Sequence, residues 1–406
     1  MYSLLRQKAS VLEPDLQQLI AKLIGIPSPS FSEAKIADAV ISTLETLSYD
    51  RVFKDNVGNV VGCIFGRNYN PTLLLVSHLD TYSDSWKLFQ KSGLEGGRFY
   101  GAGASDCKGG LAAQIYAGRL LKECFPMYGN LVLVATVGQQ SGCSDGIRQF
   151  LKNTLPSIGL EPSFALLGEP TDLGLYYGHD GWICIELTLT GYKQDGVEAC
   201  AKELFSFLNK STSSSSENLL EEVTISQPEY SSDKQGYRCV IGIMHRLRDR
   251  NEPVFLLKRY RETARFICKQ FGVRLVSTGI KKRTVREEGG SPLRIRQVSV
   301  PWMTDPLNSF FEEARLALRA AECKIRGGTW HLNRLGMGTA GSVLVNEYSI
   351  PTIGYGPGNE SLAIGSQEYV EIKDLNEAFF GTAVIAHRLL SVPSYSTNDT
   401  NNKLQQ

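Results

Sequence analysis

No stretch of the sequence approaches the ~20 consecutive apolar residues that a bilayer-spanning helix needs. The first residues, MYSLLRQKASVLEPDL, lack the apolar core and small-residue cleavage site of a secretory leader. Neither charge sign dominates: 43 Lys and Arg stand against 42 Asp and Glu, a formal net charge of +1. That balance excludes the strong field that would draw in nucleic acid or an anionic membrane surface. Cysteine is present, nine residues in all, but with no CxxC pair and an odd count. A disulfide framework is therefore not expected, and reduced thiols in a cytoplasmic compartment are. Histidine is scarce at five residues.

What is present is ordinary for a globular enzyme: 42% hydrophobic and 21% charged residues. A chain of 406 residues exceeds one ordinary core and implies two domains. Helical spacing predicts helices over 12–24 and 32–47, the second capped by Ser32. A strand is expected near 57–65. TLLLVSHLD, residues 72–80, is a short apolar run ending in polar residues, the pattern of a buried strand that reaches a site. A Gly-rich segment at 96–110 precedes helix 110–124. Strand 130–137, helix 143–153 and strand 164–168 follow. This alternation predicts an α/β domain with a mixed, largely parallel sheet. From about 183 the pattern changes to a small α+β, ferredoxin-like insertion, with strands at 237–243, 272–279 and 294–299 and helices at 196–210 and 253–271. The α/β pattern returns from about 301, with helices 306–322 and 373–390 and a strand at 350–355. The expected division is 1–182 with 300–393, a separate small domain inserted at 183–299, and a disordered polar tail at 394–406.

Chemically rich residues fall at strand ends, where α/β sheets place their sites. His78 and Asp80 share one side of an extended chain. Asp106 lies in GAGASDCKGG and Glu169 in LLGEPTD. One His with carboxylates suits an open catalytic zinc site. Each also has a plainer reading: HxD as a hydrogen-bonded pair, Asp106 as a turn cap, and Glu169 as a surface residue.

The stretches LLLVSHLDTY, GRFYGAGASDCKGGLAA, LLGEPTDLGLYYGHDGW, IPTIGYGPGN and EYVEIKDL occur in that order. In these the chain resembles the zinc metallopeptidase family of acetylornithine deacetylase, succinyl-diaminopimelate desuccinylase, aminoacylase, glutamate carboxypeptidase and the carrier-protein-linked lysine or ornithine hydrolases. That family uses two zinc ions bridged by a carboxylate. The resemblance implies that Asp106 is the bridge, that His78 and Glu169 complete one metal site, and that Asp80 orients His78.

Three departures accompany the resemblance. The family's Asp-Glu-Glu run, which supplies the general base and a ligand of the second metal, reads Gly138, Gln139, Gln140 here. A glutamine amide accepts no proton at neutral pH and is a poor zinc ligand. The family's C-terminal metal-binding His falls at Ile364 in LAIGSQEYV, which leaves a degenerate second site of Gln140 and Ile364. In GYKQDG, Asp195 or a neighbour stands where the family has a carbonyl-binding His. By the same resemblance Arg246 would bind a substrate carboxylate, and Gly356, Gly358 and Asn359 would line a substrate loop. Arg246 also reads as an ordinary surface arginine. His331 is a candidate replacement ligand or acid/base.

The sequence thus implies one zinc ion per chain and a small amino-acid-like or peptide substrate, free or linked to a carrier protein. It implies a cytoplasmic protein with no nucleic-acid or membrane partner, and the resemblance alone implies that the insertion at 183–299 is a lid or dimerisation domain through which a homodimer would form. The chemistry would act on an amide or peptide bond by a route other than two-metal hydrolysis: amide formation, acyl transfer or cyclisation. The competing reading is a non-catalytic homologue that binds an amino-acid-like ligand or a partner protein.

Overall fold

The computed structural model describes residues 2–82, 92–140, 142, 144–213, 223–234, 236–285, 293–326, 334–335, 337–363 and 365–391. The chain divides into two compact units, one of residues 1–178, 303–335 and 339–406, the other of His179–Trp302 with Gly336–Gly338. The expected tail at 394–406 and most of the Ser-rich stretch lie outside the described residues.

The first unit is built on a six-stranded sheet. Its order is Arg51–Lys54, Val60–Ile64, Asn130–Thr136, Thr72–His78, Phe164–Leu167, Thr352–Gly354. The last four strands are mutually parallel, and the first two add an antiparallel edge. Every residue of Thr72–His78 and of Asn130–Thr136 is buried, which is why both read as continuous apolar runs without alternation. Helices Gly109–Cys124 and Ile372–Leu390 pack on each other, and Tyr2–Ile24 packs on both. Their apolar faces form one core with the sheet, including Leu16, Ile20, Leu111, Ile115, Phe379 and Val384.

Local differences from the expected elements have physical causes. The first helix runs from Tyr2 rather than residue 12, because Leu5 and Ala9 continue its buried stripe. The second spans Ala34–Thr46, with Glu33 rather than Ser32 at its N-cap. The Ser32 backbone N–H instead closes a turn onto the Pro29 carbonyl at 2.9 Å. Expected helix 143–153 is a chain of short helical pieces, Asp145–Gln149, Phe150–Thr154 and Leu155–Ser157.

In the second unit the sheet order is Val223–Ile225, Gly236–Leu247, Gly181–Gly191, Arg274–Ile280, with all neighbours antiparallel. This is the ferredoxin-like order. Helices Gln194–Ser213 and Glu252–Gln270 cover one face and bury Ile185, Leu187, Leu189, Leu204, Ile243 and Ile267.

Candidate metal centre

Three neighbouring parallel strands end at the same edge of the first unit's sheet. His78 closes the Thr72–His78 strand, and its register partner is Thr136. Gln139 and Gln140 follow Thr136, and Glu169 lies two residues beyond the Phe164–Leu167 strand. Asp106 arrives from the loop before helix Gly109–Cys124. The approach is tight. A Cβ on Gly110 would stand 1.7 Å from the Gly168 carbonyl oxygen, and one on Gly356 would stand 2.3 Å from that of Glu169.

These residues converge. One ligand atom each from His78, Asp106, Cys107 and Glu169 lies within 4.8 Å of all the others, and all four residues are buried. His78 Nδ1–H donates to the Asp80 backbone carbonyl at 2.8 Å, and Nδ1 stands 3.3 Å from an Asp80 carboxylate oxygen. That leaves His78 Nε2 facing Asp106 Oδ1 at 3.1 Å. The Asp80 carboxylate does more than flank the histidine. It accepts the Ser30 hydroxyl at 2.6 Å and the backbone N–H groups of Gln139 and Gln140 at 3.0 and 2.8 Å. The other Asp106 oxygen, Oδ2, accepts a hydrogen bond from the Gln140 side-chain amide.

The loop that carries Asp106 is held from a distance. Glu368, 2% exposed, accepts backbone N–H groups of Gly103, Ser105 and Asp106 at 3.0, 3.0 and 2.9 Å. Burial pushes its carboxyl up to about 7, against the pull of those same N–H groups. Ser105 Oγ donates to the Asn359 carbonyl and accepts its N–H, at 2.9 and 2.8 Å.

The electrostatics favour a cation. Burial raises the Glu169 carboxyl well above the usual range; His78 offsets this in part, while Asp106, Asp80 and Glu360 push it higher. Burial opposes protonation of His78, but neighbouring Cys107 and Asp106 and the hydrogen bonds to Asp106 and Asp80 outweigh it and hold the imidazole well above its ordinary value. Burial pushes the Cys107 thiol up to about 11. Glu169 Oε2 is buried without a hydrogen-bond partner among the described residues. Buried, mutually repelling carboxylates with an orphaned oxygen and a pre-oriented imidazole are the donor set that a divalent metal satisfies.

A family model described as peptidase family M20/M25/M40 matches residues 74–387. The chain belongs to this family. The uncharacterized protein YgeY of Escherichia coli (strain K12) is 27% identical over 201 residues, 48% of each chain. A putative succinyl-diaminopimelate desuccinylase of Mycobacterium tuberculosis (strain H37Rv) is 31% identical over 180 residues, 44% of this chain and 49% of that one. The chain thus spans about half the length of the curated relatives it matches. In fold it is similar to a tripeptidase from Staphylococcus aureus, with a TM-score of 0.68 at 18% identity, covering 92% of this chain and 97% of that one.

The remaining residues singled out from sequence fall as follows. Gln139 is buried, and its side-chain oxygen has no hydrogen-bond partner among the described residues. Gly356 and Gly358 pack their backbone against the Glu169 segment: their carbonyls accept the N–H groups of Leu173 and Asp172 at 2.9 and 2.6 Å. The Asn359 side chain caps the short turn Glu360–Leu362 by accepting from Ser361 N–H. Arg246, in the second unit, donates from Nε to Asp180 at 3.1 Å, with the pair largely buried. Asp195 is exposed in the first turn of helix Gln194–Ser213. Ile364 and His331 lie outside the described residues.

Sequence reasoning missed Cys107, Glu368 and Glu33. Cys107 follows Asp106 directly, so its proximity was available. Glu368 stood inside EYVEI, but nothing local reveals an acceptor for a loop 262 residues earlier. Glu33 accepts the Gly138 N–H at 2.9 Å, and burial with the Asp80 charge raises its carboxyl to about 7.

Proposed function

We propose that this M20-family chain holds a single zinc ion through His78, Asp106 and Glu169, with Asp80 as the residue that orients His78. We assign it to the amide or peptide bond of an amino-acid-type substrate, by a route that bypasses two-metal hydrolysis. The observation that carries this reading is the Gln140 side-chain amide on Asp106 Oδ2. A carboxylate that held two metals would need both of its oxygens free. Here a neutral donor caps Oδ2, while Oδ1 remains with His78 Nε2. Bound zinc would supply Lewis-acid polarisation of a carbonyl.

The chain's own residues favour dry chemistry. Gln139 cannot take a proton from water, and the loss of a general base costs ~10²–10⁴-fold in hydrolytic rate. Its side-chain oxygen, without a hydrogen-bond partner among the described residues, can accept a hydrogen bond but not a proton. Amide formation, acyl transfer or cyclisation are the reactions that gain from poor water activation. The same reading expects a cytoplasmic protein and a homodimer. Val254, Phe255 and Phe266, which are 71%, 69% and 68% exposed on helix Glu252–Gln270, support association through the second unit. Light scattering at micromolar concentration tests that expectation.

The deciding experiment is the metal content of protein purified without chelator, beside His78→Ala. About one zinc per chain, lost in the variant, is the expected result. Two metals per chain overturns the single-site reading. No metal after zinc is supplied overturns the enzyme reading and leaves a protein that binds its ligand without chemistry. The joint substitution Gln139→Glu, Gln140→Glu, Ile364→His is expected to raise amidase activity on N-acyl amino acids from the baseline of the unaltered chain.

A further inference from the structure

We propose that the open face of the second unit's sheet carries a separate ligand site, which takes a small molecule through one phosphate or carboxylate group. The helix-covered face of this sheet buries Leu187, Leu189 and Cys239. Side chains alternate along each strand, so the residues between these point to the other face. There the register sets Arg238, Thr190 and Arg274 directly opposite one another on three adjacent strands. With ~4.8 Å between strands, the two arginine Cα atoms stand roughly 10 Å apart with a threonine between them. The next outward row is Val240, Thr188 and Ser277.

Arg238, Thr190, Arg274, Thr188 and Ser277 line a cavity of about 460 Å³, within the ~300–1,000 Å³ typical of ligand pockets. Three observations point to an anion. Neither Arg238 nor Arg274 makes an ion pair among the described residues, and like charges on one face repel unless something negative sits between them. Thr188, 2% exposed, lines the cavity, and its hydroxyl has no hydrogen-bond partner among the described residues. An orphaned buried hydroxyl is destabilising, and a bound oxygen would satisfy it. Planar guanidinium groups bind phosphate and carboxylate oxygens in pairs.

The cavity also limits its ligand. Tyr192, 93% exposed, and Tyr237 flank it and offer flat faces to an uncharged body. Asp233 also lines it and opposes a second negative group. A compact monoanionic or dianionic head with a small body fits, and an extended polyanion does not.

The test uses the full chain as purified, titrated calorimetrically with inorganic phosphate and, separately, with succinate. Ionic strength is held constant with chloride. Saturable binding of at least one anion is expected, at least tenfold weaker in Arg238→Gln and in Arg274→Gln and unchanged in His78→Ala. Both arginines are exposed, so these variants should melt as the parent does. Thr188→Val, which keeps the shape and removes the orphaned hydroxyl, should weaken binding without lowering the melting temperature. Binding of phosphate alone assigns a phosphorylated ligand, and binding of succinate alone a carboxylate. No saturable binding of either anion refutes the site. So does binding that survives both arginine variants, or that disappears in His78→Ala and so belongs to the metal centre.

Discussion

Replacing Glu368 by Gln tests whether the Asp106 loop is held by a distant carboxylate. One Glu368 oxygen accepts the N–H groups of Ser105 and Asp106, and the other accepts that of Gly103. A glutamine can turn only one acceptor toward this set. If its oxygen faces Ser105 and Asp106, its NH₂ meets the Gly103 N–H, donor against donor. Two charge-assisted bonds then become neutral, each falling from ~1.5–3 to ~0.5–1.5 kcal/mol. One buried N–H loses its acceptor, at ~1–3 kcal/mol. Desolvation of the parent carboxylate, visible in its raised pKa, offsets part of this. A net loss of about 2 kcal/mol in stability is expected. Because the loop carries a proposed metal ligand, zinc affinity should fall ~10–100-fold, as for other groups that position ligands. The assay is calorimetric zinc titration of chelator-treated protein, with a thermal melt of each variant. Glu368→Asp, which keeps the charge, should recover part of the affinity. If Glu368→Gln melts lower yet binds zinc as tightly as the parent, the carboxylate serves the fold alone and the positioning argument fails.

Other expectations concern neighbouring features. Gly110→Ala places a methyl 1.7 Å from the Gly168 carbonyl oxygen; backbone cannot yield cheaply there, so loss of 3 kcal/mol or more, on the order of the upper range for overpacking, should appear in denaturant melts. Gln140→Ala uncaps Asp106 Oδ2 and should change zinc affinity measurably, and a value equal to the parent's would mean that the amide does not hold that oxygen. Glu33, raised to about 7 when folded against 4.5 unfolded, binds more protons in the folded state between those values. Stability of metal-free protein should therefore fall as pH rises through that window, by at most ~1.4 kcal/mol per pH unit from this one group. Glu33→Gln should flatten the slope, and an unaltered pH profile would show that Glu33 is not the source. Asp180→Asn removes the negative charge beside the largely buried Arg246 guanidinium and should destabilise the second unit, by ~3–5 kcal/mol at most for a buried pair; a melt like the parent's would refute that coupling.

The parallel sheet was legible because its strands are uniformly apolar and end in chemistry: TLLLVSH and NLVLVAT could hardly be anything else. His78, Asp106 and Glu169 were legible through their surroundings, and the structure brings them together as a buried cluster. The short pieces were not legible. The Arg98–Tyr100 strand pairs with Tyr369–Glu371, a partnership no local pattern can report. Pro14 inside the first helix obscured its true start. Glu368 looked like any carboxylate in a polar turn, since its partners are backbone groups brought close only by the fold. Gly356 and Gly358 suggested backbone offered to a ligand, whereas their carbonyls are occupied by Leu173 and Asp172.

The grip of Glu368 on the Asp106 loop also fixes when the centre can mature during synthesis. His78, Asp106 and Glu169 all leave the ribosome before the second unit is made, and Glu368 leaves after it. At ~5–20 residues per second, the roughly 200 residues between Glu169 and Glu368 take about 10–40 s to translate. For that interval the nascent chain has its donor residues but not the clamp that orders one of them, nor the Thr352–Gly354 edge strand of the same sheet. In the proposed reading, tight metal capture would wait until Glu368 has emerged, after the residues of the second unit have been made.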